Sequence, residues 1–127
     1  MTKKPLILIV EDDPSSLMLA TAALEASGFE VHGSGSAEQA RDAIAKHKPA
    51  LILMDIGLPG MDGLDFTREL KSKARTAAIP VLALTANNMP LYERAAKAAG
   101  CEGFIAKPVS PAALTAEVRS ILSRTEQ

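Results

Sequence analysis

Tryptophan is absent, and aromatic residues make up only 3% of the 127-residue chain. The core must therefore be aliphatic and rich in alanine. Cys101 is the only cysteine, so no intrachain disulfide can form. That usage suits a reducing compartment. Neither sign of charge dominates: 14 basic residues face 15 acidic ones, for a net charge of −1. This balance excludes the strong basic footprint of a protein that coats nucleic acid. No apolar run approaches the ~18 residues of a membrane span. Leu6–Val10 follows a basic start, Met1–Pro5, but is too short for a secretion signal and ends on Glu11 and Asp12. A Gly-x-x-x-x-Gly-Lys pattern is missing, which excludes a P-loop. Repeats, low-complexity stretches and internal linkers are also missing. The expectation is a soluble cytoplasmic protein, complete at both ends, with no nucleic-acid or membrane partner.

The length fits one domain, residues 1–127, with no room for an appended output module. Apolar residues make up 47%, as in a globular fold. Three short runs carry no charge and no polar alternation: Leu6–Val10, Ala50–Met54 and Val81–Ala86. Such runs suit strands buried on both faces. Glu30–Gly33 and Gly103–Ala106 are weaker strand candidates. Helical patterns lie between them. Leu17, Ala20 and Leu24 share one face, and Gly28 is placed to end that helix. Ser36 can cap a second helix bearing Ala37, Ala40 and Ile44. Asp62 can cap a third that buries Phe66 and Leu70. A fourth runs from Pro90 to Ala99 and ends at Gly100. A fifth starts near Pro111 and buries Leu114, Val118, Ile121 and Leu122. Five strand–helix repeats imply right-handed crossovers and an α/β fold, a parallel sheet covered on both faces.

Ligands of such sheets bind beyond the carboxyl ends of the strands. The first strand runs into Glu11, Asp12 and Asp13. The third ends on Asp55, the fourth on Thr85-Ala86 and the fifth on Lys107-Pro108. Acids, a hydroxyl and an amine thus converge on one rim. Glu11, Asp12 and Asp55 would raise one another's pKa unless a cation offsets them. A hard divalent ion with oxygen ligands, Mg²⁺ (or Mn²⁺), is the natural counter-charge. With no His or Cys nearby in sequence, zinc is disfavoured. Carboxylates, metal, lysine and hydroxyl together suit phosphoryl transfer onto a carboxylate, with Asp55 the candidate nucleophile.

The motifs Ile7-Leu8-Ile9-Val10-Glu11-Asp12-Asp13-Pro14, Leu51-Ile52-Leu53-Met54-Asp55-Ile56-Gly57-Leu58-Pro59-Gly60-Met61-Asp62-Gly63, Ala83-Leu84-Thr85-Ala86 and Lys107-Pro108 carry a resemblance. In order and spacing the chain resembles a response-regulator receiver domain of two-component signalling, over essentially its whole length. The resemblance implies a flavodoxin-like (βα)₅ doubly wound sheet with strand order 2-1-3-4-5. It implies that Asp55 is the phosphoacceptor, that Asp12 is a direct Mg²⁺ ligand and that Glu11 acts through water. It further implies that the Gly57 backbone carbonyl completes the metal shell, that Thr85 follows the phosphoryl group and Lys107 contacts it, and that Lys107–Pro108 is a cis peptide. Phe104 stands at the aromatic switch position, where a Phe lacks a tyrosine's hydroxyl handle. The output surface would be the face of helix four, strand five and helix five. The implied partners are a histidine kinase or histidine phosphotransfer protein and a downstream protein target. The expected oligomeric state is monomer, or a weak dimer formed on activation. Small residues at Ala86 and Gly57 leave the site accessible, which predicts an acyl phosphate that is not exceptionally long-lived.

Several residues carry a plainer reading. Asp13 starts the first helix in preference to serving as a third ligand. Asp62 caps, and Gly60 and Gly63 shape a turn. His32 and His47 stand away from the rim, with His47 solvated at the end of helix two. Cys101 reads as a small buried hydrophobe, Lys3-Lys4 and Lys71/Lys73/Arg75 as solvated faces, and Lys71–Ala78 as a loop without evident function. Three other functions compete. A small phosphatase with an aspartate nucleophile is disfavoured because Gly57 occupies the place of its general acid. A flavin electron carrier is disfavoured because Glu11-Asp12-Asp13 would repel the flavin phosphate. A receiver cut from a hybrid histidine kinase is the third. The chain is therefore expected to modify itself at Asp55, not to turn over an external substrate.

Overall fold

The computed structural model describes residues 4–56, 62–86, 90–107 and 109–125. Strand and helix alternate throughout: β1 (Leu6–Val10), α1 (Pro14–Ala26), β2 (Glu30–Ser34), α2 (Ala37–His47), β3 (Leu51–Asp55), α3 (Gly63–Lys71), β4 (Val81–Thr85), α4 (Pro90–Ala99), β5 (Gly103–Ala106) and α5 (Pro111–Thr125). The strands form one sheet in the order β2-β1-β3-β4-β5, with every pairing parallel. This is the expected five-stranded doubly wound sheet.

Side-chain alternation divides the core in two. Leu8, Val10, Ile52, Met54 and Ala83 point to one face and pack with Ala40, Ile44, Phe66, Leu70 and Ala96. Ile7, Ile9, Leu51, Leu53, Leu82 and Leu84 point to the other and pack with Leu24, Leu114, Val118 and Ile121. A strand clothed on both faces needs apolar residues at consecutive positions, which explains the unbroken runs. Each such Leu or Ile contributes about 1.5–3 kcal/mol when fully buried. Leu17, Ala20 and Leu122 are only partly buried against this second layer. The small aromatic content is used economically: Phe66 is fully buried, and the Arg41 guanidinium lies 5.3 Å from its ring centre.

The strand ends differ from the sequence expectation by one residue. β3 starts at Leu51 and includes Asp55, β2 continues to Ser34, and β4 stops at Thr85. The ladder sets these limits, not polarity. The Glu11 backbone N–H donates to the Ser34 carbonyl at 2.9 Å, extending β2, and Asp55 is paired in register with Leu84. Helix starts follow the caps. Asp13, Ser36 and Asp62 accept hydrogen bonds from the backbone N–H groups of Ser16, Gln39 and Asp65. Beyond α1, Gly28 takes a φ of +96°, a conformation that costs glycine little.

One expectation is corrected. Lys71 is not a solvated residue. Its Nζ donates to the carbonyls of Ala77 and Ile79 at 3.1 and 2.7 Å and to Glu102 Oε2 at 3.1 Å. The 71–78 segment is therefore pinned by its own first residue, and α3 is tied to the turn before β5. Lys73 and Arg75 are exposed as expected. Among the described residues, no helix is long and apolar enough to cross a membrane.

Candidate functional site

The carboxyl edge of the sheet gathers the polar residues. Glu11 directly follows β1 and is 2% exposed, while Asp12 beside it is open to solvent. Asp55 closes β3 and Thr85 closes β4, both buried. The Lys107 backbone N–H donates to the Thr85 carbonyl at 2.7 Å, which brings the lysine beside β4. Parallel pairing therefore does what no local sequence could: it sets residues 96 apart side by side.

Ligand oxygens of Glu11, Asp12 and Asp55 all lie within 4.8 Å of one another. The Lys107 Nζ lies 2.5 Å from Glu11 Oε1 and 3.7 Å from Asp55 Oδ1. Burial pushes the Glu11 carboxyl up to about 7, and a hydrogen bond to Asp55 adds to the rise while Lys107 opposes it. Burial pulls the Lys107 amine down, but Glu11 and Asp55 more than offset this and hold it above the ordinary lysine value. Three crowded oxygen donors, one of them forced toward protonation, form a set that a hard divalent cation fits. Asp13 takes no part. Its Oδ2 accepts from the Ser16 N–H at 3.0 Å and from the Ser16 hydroxyl at 2.8 Å, so its role is the α1 cap.

Ala86 follows Thr85 and is exposed. Phe104 lies on β5 in register with Ala83, half-buried against the first core layer. Gly57 and Pro108, and with them the carbonyl ligand and the cis peptide, lie outside the described residues. Neither histidine joins the cluster; their rings sit 5.0 Å apart, linking β2 to the end of α2.

One residue read only as a turn former bears directly on the site. The Gly63 N–H donates to the Ile56 carbonyl at 2.9 Å, and a Cβ there would lie 2.3 Å from the Asp55 carbonyl oxygen. The start of α3 thus touches the backbone that carries Asp55. The available signal was a glycine beside a helix-capping Asp62, eight positions after the acid, and spacing alone does not reveal the close approach.

A sheet of this strand order, with acids at the ends of β1 and β3 and a lysine after β5, defines the class of CheY-like receiver proteins. Residues 7–119 match the response regulator receiver domain, and the chain belongs to that family. It is 39% identical over 122 residues to the polar-differentiation response regulator DivK of Brucella ovis, covering 96% of this chain and 98% of that one. Among solved structures it is similar to the signal receiver domain of a signal transduction histidine kinase from Syntrophus aciditrophicus, with TM-score 0.88 and 30% identity over 97% of this chain and 93% of that one. The chemotaxis response regulator CheY4 of Vibrio cholerae shares the fold, with TM-score 0.88 at 24% identity over 94% of this chain and 99% of that one. Receiver domains bind Mg²⁺ through an acidic pocket and interact with kinases or phosphotransfer proteins and with downstream targets. An acidic cluster of Glu11, Asp12 and Asp55 is present in this chain.

Proposed function

We propose that this receiver accepts a phosphoryl group on Asp55 from a phosphohistidine of a histidine kinase or phosphotransfer protein. It then controls protein partners through its own surface. The observation that carries this reading is the position of Lys107, within 4 Å of both Glu11 and Asp55. In the transfer, an Asp55 carboxylate oxygen forms a bond to phosphorus as the phosphorus–nitrogen bond to the imidazole breaks. The imidazole leaves with the electron pair and takes up a proton. Glu11, Asp12 and Asp55 would hold Mg²⁺ (or Mn²⁺), with the Gly57 carbonyl as a further ligand. Bound there, the cation offsets charge on the transferring group. Lys107 supplies a second positive charge and exchanges Glu11 for a phosphoryl oxygen. The Thr85 hydroxyl donates to another. The same residues permit hydrolysis by water past Ala86, so the chain processes only its own acyl phosphate.

The proposed switch works through packing. Thr85 moves toward the new anion, and the half-buried Phe104 ring turns into the space released. A phosphorylation event at the rim thereby biases a two-state element. The surface it changes is α4–β5–α5, where Leu91 is 68% exposed beside Tyr92. A second reading, a receiver belonging to a larger histidine kinase, is favoured by the similarity to the Syntrophus kinase receiver. The site chemistry is the same in both.

The test is incubation with acetyl phosphate or phosphoramidate and Mg²⁺, followed by intact-mass measurement beside Asp55→Asn. Wild type should gain one phosphoryl group and the variant none. Equal labelling of the two, or no label on wild type, would overturn the assignment.

A further inference from the structure

The opposite edge of the sheet carries a cleft of its own. A cleft of about 500 Å³ opens between α2, α3 and the segments that lead into β3 and β4. Its apolar wall is Ile44, Pro49, Leu70 and Ile79, and its charged lining is Arg41, Lys48, Lys73, Arg75 and Glu69. Four cations and one anion give +3, in a protein whose overall charge is −1. Two helix C-termini point toward this edge and contribute about −0.5 each, so they leave most of that charge uncompensated.

The single acid is already committed. The Arg41 Nε and Nη2 donate to both Glu69 oxygens at 2.6 and 2.7 Å, and Lys73 Nζ lies 3.7 Å from the same carboxylate. No side-chain hydrogen bond or ion pair engages Lys48 or Arg75 among the described residues. Lys48 moreover holds a φ of +47° at the end of α2, where glycine is the residue that adopts such a backbone without strain. The chain keeps a cationic side chain at a position whose backbone favours none. A concave space of this size, with an apolar wall and several placed charges, has the character of a small-molecule site.

We propose that this cleft binds a small phosphorylated ligand, its phosphate on Lys48, Lys73 and Arg75 and its apolar or planar body against Ile44, Pro49 and Ile79. The site is independent of the Asp55 chemistry, which occupies the other edge of the sheet.

Adenosine diphosphate is a suitable probe, titrated by amide NMR in EDTA so that no metal draws phosphate to the acidic rim. Saturable shifts should centre on Ile44, Lys48 and Ile79, with adenosine and inorganic phosphate each at least tenfold weaker. The variant Lys48→Gly/Arg75→Gln should bind the nucleotide at least tenfold less well, while its thermal midpoint stays level or rises and its labelling at Asp55 is unchanged. The proposal fails if millimolar nucleotide produces no saturable shift, or if the double variant binds as wild type does. It fails equally if inorganic phosphate matches the nucleotide, or if a glutamate-rich peptide saturates the cleft where the nucleotide does not.

Discussion

Lys107 bridges two carboxylates at the ends of different strands: its amine sits 2.5 Å from Glu11 and 3.7 Å from Asp55. The Glu11 side chain is 1% exposed and the Lys107 side chain 23%. The lysine therefore neutralises a buried acid in the resting protein, and the same amine is the one proposed to meet the phosphoryl group.

Removing that amine leaves buried Glu11 without its counter-charge, so the acid must take up a proton or stay unpaired. Lys107→Met should destabilise the metal-free protein by about 2 kcal/mol, less than the about 3–5 kcal/mol of a fully buried broken pair because the lysine is partly solvated. Saturating Mg²⁺ should recover part of the loss, so the urea midpoint should rise more on adding Mg²⁺ in the variant than in wild type. A variant as stable as wild type in EDTA would refute the pairing.

Gly63 supports the site through the backbone. A methyl group at this position would meet the Asp55 carbonyl oxygen at 2.3 Å and the Ile56 Cα at 2.9 Å. Gly63→Ala should cost about 1–3 kcal/mol, the usual range for overpacking, and slow labelling of Asp55 at least tenfold. Gly35→Ala is the control, because its added Cβ meets only the Gln39 Oε1 at an ordinary 3.7 Å. Equal labelling rates for the two variants would show that Gly63 only shapes a turn.

The Arg41–Glu69 pair sets an acid limit. The Glu69 carboxyl is held below the ordinary 4.5, chiefly by its hydrogen bond from Arg41. A depressed carboxylate stabilises the fold fully above the unfolded value and loses that contribution as pH falls through the folded one. Glu69→Gln should thus cost about 0.5–1 kcal/mol at pH 7, screened by salt, because the pair is partly exposed. The difference from wild type should stay level from pH 8 to pH 5 and shrink below about pH 4.5. Denaturation midpoints across that range check it, and a gap that widens in acid would contradict it.

Lys71 should matter more than its neighbours. Its three acceptors include two backbone carbonyls left without this donor if it is removed. Lys71→Met should cost about 1–3 kcal/mol, whereas Lys73→Met should stay within about 0.5 kcal/mol. Thermal melts of the two single variants separate these outcomes, and equal midpoints would reject the clamp.

The elements were legible because buried parallel strands and capped helices leave local marks. Leu6–Val10 and Gly103–Ala106 form strands with the bounds their apolar character suggests, and Asp62 caps α3 as its position implies. The convergence of Glu11, Asp12 and Asp55 was legible from the rule that places ligands at strand ends. Partnerships across the fold were not. Lys71 looks like any surface lysine until the 71–79 segment wraps back on it, and the Arg41–Glu69 pair joins two helices whose facing sides no spacing reveals. The division of labour within Glu11-Asp12-Asp13 was likewise set by geometry: one buried, one open, one spent on a cap.

The strand order has a consequence in time. β3 lies at the centre of the sheet, yet its acid is completed by Glu11 from the start of the chain and Lys107 from near its end. A ribosome-bound chain that has not released β5 has no amine to balance Glu11 and Asp55. Under the proposed function, half-made copies would be mute: they would draw no phosphoryl groups from the pool and could not answer for a finished molecule.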